Sequence, residues 1–569
     1  MAMRLFFATS ALFLAACMHT YAASVLPVVD LGYEIHQAFS LNETTGLYNF
    51  SNIRYAAPPL GNLRFRAPLP PRVNRAQVQT GAVGRICPQA TPIWTKFIMP
   101  QFLKSYFTNS TFTASADVSA YSDTPSRDPR ISEDCLFLDV LVPQRVFDRA
   151  QCKAPVTKEK LVPVIVYFYG GGYVLGDKSV SDPSGLIQRS QQGGNDGVIF
   201  VVLNYRLGAF GWLAGHTVSR KGTPNAALHD QRLGLSWVVQ NINSFGGDPD
   251  RVTVMGVSAG AGSILHQLTA YKGLQGPSPF QQAILQSPAW EPNFDTNKQE
   301  KTFCQFLKIL NVSTIEEARQ LPSDKLIAAN AYQVSKSLYG AFTYGPVVDG
   351  IFVPDLPARL LLRGDFDRNV KILNGHTANE ALMYTPPSSV QEYGLSTLLD
   401  EHFPEITSDM REVMTNLLYP PILDGKHGYR SWVERVSLVL SDICFQCNLY
   451  YLDHAYENNT FSYLYSIPPA LHWLDQPYTF YIKGQKSVLD SPLSQVANET
   501  VAYILQDYLT SFALTGRPSS PLGPVFNIYG SESRVLRIGM NNITEMRDPA
   551  CNSRCLYWQT AFNFYKGDR

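Results

Sequence analysis

One short segment, residues 256–260 (GVSAG), combines residue types and spacing that suit nucleophilic chemistry. It follows a predicted strand and precedes a predicted helix, which is the context of the nucleophile elbow of hydrolases. In such a turn, small flanking residues allow Ser258 a strained backbone conformation that exposes its hydroxyl at the start of the helix. The N–H of Ala259 would then bind the negative charge that develops on the attacked carbonyl oxygen. The alternative is an ordinary glycine-rich turn between a strand and a helix.

Three consecutive glycines, residues 170–172, follow a predicted strand at residues 161–168. The N–H groups of Gly171 and Gly172 carry no neighbouring side chains and can face a developing oxyanion, as in the glycine-rich loops of esterases and lipases. The other interpretations are a phosphate-binding loop and a flexible turn. We do not expect nucleotide binding, because the segment lacks both the G-x-G-x-x-G spacing and the Walker lysine.

The elements that must position these residues alternate between strands and helices. Near-continuous apolar runs predict strands at residues 161–168, 197–204, 251–257, 281–286, 370–374 and 461–466. Helical spacing of apolar residues predicts helices at residues 228–245, 259–270 and 501–514. This alternation predicts an α/β fold with a large, mostly parallel sheet that is covered by helices on both faces. Because no linker or repeat is visible, we expect one domain over residues 24–569.

The order of several motifs resembles that of the type-B carboxylesterase/lipase family. The matching segments are residues 133–136 (EDCL), 169–172 (YGGG), 204–211 (NYRLGAFG), 230–231 (DQ), 245–249 (FGGDP), 256–260 (GVSAG), 375–380 (GHTANE) and 472–480 (HWLDQPYTF). They occur in the family's order, and secreted fungal members are the most similar in appearance. The resemblance implies an α/β-hydrolase fold and an esterase or lipase that needs neither a cofactor nor a metal.

The resemblance also implies a catalytic triad of Ser258, Glu380 and His472. The chain order of serine, acid and histidine is the order of α/β-hydrolases. Order alone does not select His472, because five other histidines follow Ser258, namely His266, His376, His402, His427 and His454. Taken without the family, Glu380 would be read as a solvated loop carboxylate.

The implied mechanism proceeds through an acyl-enzyme, with His472 as the base, Glu380 orienting it, and Gly171, Gly172 and Ala259 binding the oxyanion. Two positions depart from the common pattern of the family. Val257 stands where many members have glutamate before the nucleophile, and Ala381 stands where glycine often follows the acid. Neither departure removes an atom of the triad, but Val257 argues against a site tuned to cationic substrates.

The resemblance implies a disulfide between Cys87 and Cys135 that closes a long loop over the mouth of the active site. Its apolar residues are Ile93, Trp94, Phe97, Ile98, Met99, Phe102, Leu103, Tyr106 and Phe107. They predict an apolar lid that meets lipid or bulky esters. The alternative is that the same side chains dock on the core. The stretch leading into Glu133 has no tryptophan at the place where cholinesterases bind choline, so choline esters are not expected.

Eight cysteines remain after the N-terminal segment, and an even number in an oxidising compartment indicates disulfides. Cys444 and Cys447 form a C-x-x-C pair, but no second pair or finger-spaced histidine accompanies it, so metal or redox use is not expected. A local bridge between Cys551 and Cys555 is a hypothesis. Spacing alone does not assign the other pairings.

Residues 1–23 are read as a secretory signal peptide, because Arg4, an apolar run and small residues at 22–24 follow one another. The alternatives are a membrane anchor, for which the run is short, and a bacterial lipoprotein site at residues 14–17 (LAAC). N-x-S/T acceptors occur at Asn42, Asn49, Asn109, Asn311, Asn458, Asn498 and Asn542. Their number favours a glycosylated, secreted protein.

Composition narrows the classes of function further. The 47 basic and 47 acidic side chains balance, which argues against a nucleic-acid partner. No later apolar stretch is long enough for stable membrane insertion. The sequence therefore predicts a secreted, glycosylated serine esterase or lipase for a small and apolar ester. The alternatives are a tailoring enzyme that hydrolyses, acylates or couples one secreted metabolite, and a noncatalytic binding or adhesion protein of the same fold. The oligomeric state stays open.

Overall fold

Strands and helices alternate along the chain in a computed structural model that describes residues 26–113, 128–152, 157–290, 292–293, 295–404, 406–485 and 494–561. The predicted signal peptide, residues 1–23, lies outside the described residues. Fourteen strands occur in the described residues: β1 (Val28–Asp30), β2 (Glu34–Gln37), β3 (Ser40–Asn42), β4 (Leu47–Arg54), β5 (Asn74–Gln79), β6 (Phe137–Pro143), β7 (Val162–Phe168), β8 (Ile199–Leu203), β9 (Gly247–Val257), β10 (Gln282–Gln286), β11 (Lys371–Thr377), β12 (Phe461–Tyr465), β13 (Arg534–Ile538) and β14 (Ile543–Arg547).

The same described residues form eighteen α-helices, several of them a single turn: α1 (Met99–Phe107), α2 (Gln144–Ala150), α3 (Ser184–Ser190), α4 (Ala209–Trp212), α5 (His216–Lys221), α6 (Ala226–Asn241), α7 (Ala259–Leu268), α8 (Thr296–Leu310), α9 (Ile315–Gln320), α10 (Ser323–Ser335), α11 (Pro357–Arg363), α12 (Gly394–His402), α13 (Ser408–Glu412), α14 (Trp432–Ser441), α15 (Cys447–Ala455), α16 (Gln476–Thr479), α17 (Glu499–Thr515) and α18 (Ser553–Ala561). Among them, no helix is both long and apolar enough to cross a membrane.

Eleven strands of the described chain form one sheet in the order β14-β13-β12-β11-β10-β9-β7-β8-β6-β4-β3. The strands from β13 to β8 in this order pair in parallel, whereas the strands at both edges pair antiparallel. Every residue of β7, β8 and β10 is buried, as expected for strands that helices cover on both faces. The prediction of a large, mostly parallel sheet is confirmed. A separate small sheet contains β1, β2 and β5.

The register of the parallel strands aligns their carboxyl ends. Phe168 at the end of β7 pairs with Gly256 on β9, and Gln286 at the end of β10 pairs with both Val257 and Gly375. The segments that follow these strands therefore emerge at one edge of the sheet. In open α/β sheets, this edge is where ligands bind.

Two strand boundaries differ from the prediction. Strand β9 begins at Gly247 rather than at residue 251, because Gly247 still pairs with Val162 of β7 although the FGGDP segment has the composition of a turn. Strand β11 continues to Thr377, three residues beyond the predicted end at 374. Helix α17 ends as predicted at Gly516, which has a left-handed φ of 76° and donates its N–H to the Phe512 carbonyl.

Two disulfides occur among the described cysteines. Cys87 is bonded to Cys135, and Cys447 is bonded to Cys555. The hypothesis of a Cys551–Cys555 bridge is therefore wrong. Packing of α15 against α18 brings Cys447 to a Cα–Cα distance of 5.1 Å from Cys555 across 108 residues of sequence, which spacing in the sequence cannot reveal. The same bond removes Cys447 from any C-x-x-C redox pair with Cys444.

Removing the Cys447–Cys555 bridge should destabilise the protein, because the bridge closes a long loop in the unfolded chain. We expect the double variant Cys447→Ala/Cys555→Ala to lose about 2–5 kcal/mol of unfolding free energy in chemical denaturation. Cys304→Ala is the control, since Cys304 is exposed and in no disulfide among the described residues. A non-reducing peptide map that joined Cys551 to Cys555 would contradict this pairing.

The seven glycosylation acceptors fall into two structural groups. Four are exposed: Asn42, Asn109, Asn311 and Asn542. The half-buried ones are Asn49, Asn458 and Asn498. Asn498 also caps α17, since its Oδ1 accepts the N–H groups of Thr500 and Val501, while its Nδ2 donates to the Met540 carbonyl at 3.0 Å.

This division predicts unequal glycan occupancy when the chain is expressed in a secretory eukaryotic host. We expect high occupancy at the four exposed acceptors and low occupancy at Asn498, whose side-chain nitrogen is already engaged in a hydrogen bond. Enzymatic deglycosylation in heavy-oxygen water, followed by peptide mass spectrometry, measures occupancy site by site. Equal occupancy at Asn498 and at the exposed acceptors would show that the folded environment does not control modification.

Candidate active site

Ser258 occupies a sharp turn between β9 and α7. Its backbone has a φ of 54° and a ψ of −125°, a region that a non-glycine residue adopts only under strain. The glycines around it are required by close packing, because a Cβ on Gly260 would lie 2.0 Å from the Phe168 carbonyl oxygen. The Ser258 N–H donates to the Gln286 carbonyl at 2.9 Å, which ties the turn to the end of β10.

Glu380 and His472 form a buried, hydrogen-bonded pair. The His472 Nδ1 lies 2.5 Å from Glu380 Oε2, and both side chains are nearly inaccessible to solvent. The other carboxylate oxygen, Oε1, accepts the Ser287 hydroxyl at 2.5 Å and the Thr377 N–H at 2.6 Å. Burial opposes ionisation of Glu380, but the charge and hydrogen bond of His472, the charge of His376 and the hydrogen bond from Ser287 outweigh it and lower the pKa of Glu380.

The other ring nitrogen of His472 is unengaged in the described part of the chain. Among the described residues, His472 Nε2 is buried and has no hydrogen-bond partner, and no hydrogen bond joins it to Ser258. The ring packs against both Phe445 and Tyr384, with centroid distances of 4.8 and 5.5 Å. The structure therefore brings Glu380 and His472 into contact, whereas Ser258 and His472 make no direct bond.

Ser258 nevertheless lies beside the segment that carries His472. A Cβ on Gly170 would lie 2.8 Å from Ser258 Cβ and 2.6 Å from the ring of Trp473, the residue after His472. Both elements thus border the same point of the glycine-rich loop. Catalytic hydrogen bonds are often long before a substrate binds, so this arrangement suits a serine–histidine pair.

The other histidines after Ser258 make no hydrogen bond to a carboxylate within the described residues. In the described part of the chain, His472 is the one histidine following Ser258 that hydrogen-bonds to a carboxylate. His266 is buried against Trp290, and burial lowers its pKa to about 3, so it stays neutral. His454 is exposed near the end of α15.

The glycine-rich loop presents backbone donors next to Ser258. Gly171 and Gly172 have φ values of 123° and 59°, which other residues rarely adopt. Among the described residues, the N–H groups of Gly171, Gly172 and Ala259 make no hydrogen bond. Just before the loop, the hydroxyl of Tyr205 donates to the Tyr169 carbonyl at 2.5 Å, and the two rings stack at 4.5 Å. These contacts fix the start of the loop.

A cavity of about 460 Å³ opens at Ser258 and Gly172. Its inner wall is mostly aromatic and is formed by Trp290, Phe342, Tyr344, Tyr384, Phe403 and Phe445. We call this part the aromatic chamber. Its size and lining are those of a site for a small apolar molecule.

The loop closed by Cys87 and Cys135 docks on the protein over much of its described part. Trp94 is buried, donates its Nε1–H to the Ala341 carbonyl at 2.9 Å, and lies 5.5 Å from the ring of Phe342. Phe102 and Leu103 are buried as well, whereas Phe107 is 46% exposed. The alternative that these side chains dock on the core therefore holds for Trp94, Phe102 and Leu103. Residues 114–127 lie outside the described residues.

Ser287 is a residue of the site that the sequence analysis missed. A serine after an apolar strand carries no motif, yet its position directly after the predicted strand 281–286 could have identified it, because strand ends meet at the site.

The described residues contain one cluster with metal-ligand spacing, formed by Asp442, Cys447 and Cys555. Its two sulfur atoms are joined in a disulfide, so it cannot supply thiolate ligands.

Comparison with known proteins decides the family. A model described as the carboxylesterase family matches residues 37–558. The chain belongs to the carboxylesterase family. The carboxylesterase patB of Penicillium expansum is 42% identical over 552 residues, which cover 95% of this chain and 97% of that relative. The inactive carboxylesterase-like protein VdtD of Byssochlamys spectabilis is 32% identical over 338 residues, which cover 55% of each chain.

A solved structure of this family has the same fold. The crystal structure of Aspergillus niger EstA superimposes with a TM-score of 0.76 at 26% identity, covering 95% of this chain and 99% of that chain. The α/β-hydrolase fold that the resemblance implied is confirmed, and the protein is a carboxylic ester hydrolase.

The hydrogen bond from Ser287 yields a prediction about pH. Because this bond helps to lower the pKa of Glu380, Ser287→Ala should raise that pKa. The charged form of Glu380 is lost as pH falls through its pKa, so the acid limb of kcat/KM for ester hydrolysis should move to higher pH. A hydrogen bond to a charged group is worth about 1.5–3 kcal/mol, so we expect kcat/KM to fall about tenfold or more.

Ser389→Ala is the matched control, because the buried Ser389 hydroxyl has no hydrogen-bond partner among the described residues. An unchanged acid limb in Ser287→Ala, with the protein folded, would mean that Ser287 does not stabilise the ionised carboxylate.

Proposed function

We propose that this carboxylesterase is a secreted serine esterase that acts through Ser258, Glu380 and His472 by way of an acyl-enzyme. The observation that carries the proposal is the buried pair of Glu380 and His472, whose free Nε2 lies in the segment that borders Ser258. A buried histidine with one nitrogen fixed by a carboxylate and the other unpartnered has the arrangement of a general base.

In the proposed reaction His472 Nε2 takes the hydroxyl proton as Ser258 Oγ attacks the ester carbonyl carbon. The carbonyl π electrons move to oxygen, and Gly171, Gly172 and Ala259 donate their N–H groups to this oxyanion. When the carbonyl re-forms, the bond to the alcohol oxygen breaks, and His472 returns the proton to the alcohol. Water, deprotonated by the same nitrogen, then hydrolyses the acyl-enzyme and regenerates Ser258.

The proposed substrate is a small ester with an apolar part. The aromatic chamber supports this, because its walls next to Ser258 favour apolar groups. A volume of about 460 Å³ also suits a compact molecule better than a long acyl chain. The limited volume of the cavity favours a second candidate, a tailoring esterase or acyltransferase with a narrow range of substrates.

A noncatalytic binding protein of the same fold is the third candidate, since VdtD is named an inactive carboxylesterase-like protein. The strained Ser258, the Glu380–His472 pair and the unengaged loop N–H groups argue against it, because a binding protein has no need to keep all three. Secretion and glycosylation are supported by the signal-like residues 1–23, the acceptor sites and the two disulfides.

Hydrolysis of p-nitrophenyl esters from acetate to palmitate tests the proposal. We expect Ser258→Ala to lower kcat by about 10⁴-fold or more with the fold retained. Ser408→Ala, an exposed serine on α13, serves as the control and should hydrolyse esters like the wild type. A preference for short acyl chains would distinguish an esterase from a lipase.

Labelling by a fluorophosphonate separates the candidates. Turnover and labelling at Ser258 support the general esterase, whereas labelling without turnover of any simple ester supports the narrow tailoring enzyme. If the folded protein neither hydrolyses an ester nor is labelled at Ser258, the noncatalytic binding protein is the candidate that remains.

A further inference from the structure

A buried polar cluster lies between the two strands that lead to Glu380 and His472. Its four members, each at most 3% exposed, are Asp453 on α15, Asn374 on β11, Thr460 directly before β12 and Ser462 on β12. We call them the Asp453 cluster. Asn374 and Ser462 are register partners on neighbouring parallel strands. The proposed mechanism uses none of the four side chains, and a buried carboxyl group is stable only when its hydrogen bonds and its charge are accounted for.

The contacts of the Asp453 cluster require a hydrogen that the other three side chains do not supply. Asp453 Oδ1 accepts the Asn374 Nδ2–H at 2.7 Å and the Thr460 hydroxyl. Ser462 Oγ lies 2.7 Å from Asn374 Oδ1, and 2.9 and 3.0 Å from the two carboxyl oxygens of Asp453. A hydroxyl has one hydrogen, so Ser462 donates either to Asn374 or to Asp453. The remaining contact needs a hydrogen that Asp453 itself carries.

This need for a hydrogen is the same in both orientations of the Asn374 amide. If Oδ1 and Nδ2 exchange places, the amide donates to Ser462, and Ser462 donates to Asp453. The amide oxygen then faces Asp453 Oδ1 at 2.7 Å, and two oxygens lie this close only when one of them carries a hydrogen. In either orientation, a protonated Asp453 gives every contact of the cluster one hydrogen.

The charges that face the cluster favour the same neutral form of Asp453. Burial and the nearby carboxyl group of Asp548 outweigh the hydrogen bonds of the cluster and raise the pKa of Asp453 to about 7. Asp548 accepts the Tyr529 hydroxyl at 2.8 Å and lies within reach of the charges of His376 and His454. The two histidines thus act on Asp548, whereas Asp548 acts on Asp453.

The charged residues of the helices that pack on α15 are engaged in other ion pairs. Helix α11 carries Arg359 and Arg363, which both pair with Asp355. Helix α18 carries Arg554, which pairs with Asp442 in the segment before α15. In the described part of the chain, Asp453 takes part in no ion pair. Hydrogen bonds, burial and Asp548 therefore set its protonation.

Backbone pairing leads from the Asp453 cluster to the catalytic acid and base. Beyond the cluster, β11 and β12 stay paired up to the ends of both strands. Asn379, directly before Glu380, then forms a bridge with Leu471 and donates its N–H to the Ala470 carbonyl at 2.9 Å. Leu471 is the residue directly before His472. The position of β11 relative to β12 thus determines how Glu380 and His472 meet.

We propose that Asp453 carries a proton in the active protein and, as a neutral acid, is a positioning residue that holds β11 against β12 and so sets the contact between Glu380 and His472. Loss of the proton leaves one contact of the cluster without its hydrogen and places an unpaired charge in the core. The cluster then no longer joins the strands, and ester hydrolysis slows. The inference rests on the proposed ester hydrolysis and adds to it an alkaline limit that is set outside the triad.

The pH profile of ester hydrolysis tests this role. The readout is the ratio of kcat/KM for p-nitrophenyl butyrate between the wild type and Asp453→Asn, in which the titrations of His472 and of the substrate cancel. The amide that replaces the acid can donate to Ser462 as the neutral acid does, but it cannot ionise. We expect the ratio to fall about tenfold from one pH unit below the pKa of Asp453 to one unit above it, because the protonated fraction falls by that factor.

Thr460→Val moves the same limit in a direction that structural damage does not predict. The Thr460 hydroxyl favours the ionised form of Asp453, so its loss should raise the pKa of Asp453. The fall in kcat/KM should move to higher pH by about one unit. Because this substitution also removes the glycosylation acceptor at Asn458, all proteins are compared after enzymatic deglycosylation. Asp409→Asn is the matched control, since Asp409 is exposed on α13 and its pH profile should match that of the wild type.

Two spectroscopic measurements follow the cluster without catalysis. The infrared difference spectrum between the wild type and Asp453→Asn should show the carbonyl stretch of a protonated acid below the pKa of Asp453 and lose it above. In proton NMR, the downfield resonance of the hydrogen on His472 Nδ1, assigned by its absence in His472→Gln, reports the contact with Glu380. As pH rises through the pKa of Asp453, this resonance should change in the wild type in a way that Asp453→Asn does not show.

The proposal is overturned if kcat/KM falls at the same pH in the wild type, Asp453→Asn and Thr460→Val, or if the carbonyl stretch is absent. Should Asp453→Asn fail to fold, an unmoved limit in Thr460→Val rejects the proposal. Should the wild type hydrolyse no ester, the proposed function has failed, and the spectra decide the role of Asp453 alone. In that case, equal pH dependence of the His472 resonance in the wild type and in Asp453→Asn rejects it.

Discussion

The buried hydrogen bond between Glu380 and His472 is the interaction on which the rest of the site depends. A carboxylate taken out of water costs several kcal/mol unless other groups compensate it. Here the compensation comes from three places: the His472 ring, the Ser287 hydroxyl and the Thr377 N–H. These groups lie on or after three neighbouring strands, so the carboxylate can stay charged only while the strands keep their register.

Backbone geometry imposes the second constraint. The turn at Ser258 brings α7 so close to the end of β7 that a side chain at Gly260 would meet the Phe168 carbonyl at 2.0 Å. That proximity also sets Ala259 beside the glycine-rich loop, whose own N–H groups are unengaged. The strain at Ser258 is held by the hydrogen bond of its N–H to Gln286, which again belongs to the sheet. The register of the sheet and the position of these N–H groups therefore depend on the same contacts.

The fold and part of the site could be predicted from local sequence. Strands β7 and β8 were predicted within two residues, because continuous apolar runs identify strands that are buried on both faces. Strand β9 was predicted to start too late, since pairing with β7 overrides the turn-forming composition at Gly247. The edge strand β14 and its neighbour β13 were not predicted, because they are short and partly exposed.

Contacts between residues far apart in the chain could not be predicted from the spacing of residues in the sequence. Ser258 has a local motif, but Glu380 and His472 are distinguished from other acids and histidines only by where the strands bring them, and the family supplied that information. Ser287 and the Cys447–Cys555 bond show the same limit, because a lone serine and two cysteines 108 residues apart carry no pairing signal in the chain.

The lining of the cavity contains residues that also pack around His472 and residues that do not. The two kinds differ in how freely they can be substituted. The aromatic chamber shares Tyr384 and Phe445 with the packing around His472, so a change of volume there disturbs the position of that ring. Trp94 reaches the same packing through Phe342 and Tyr384. Lys298, which lines another part of the same cavity, is exposed. A substitution at Lys298 can change the lining of the cavity without changing the rings around His472, whereas a substitution in the chamber changes both.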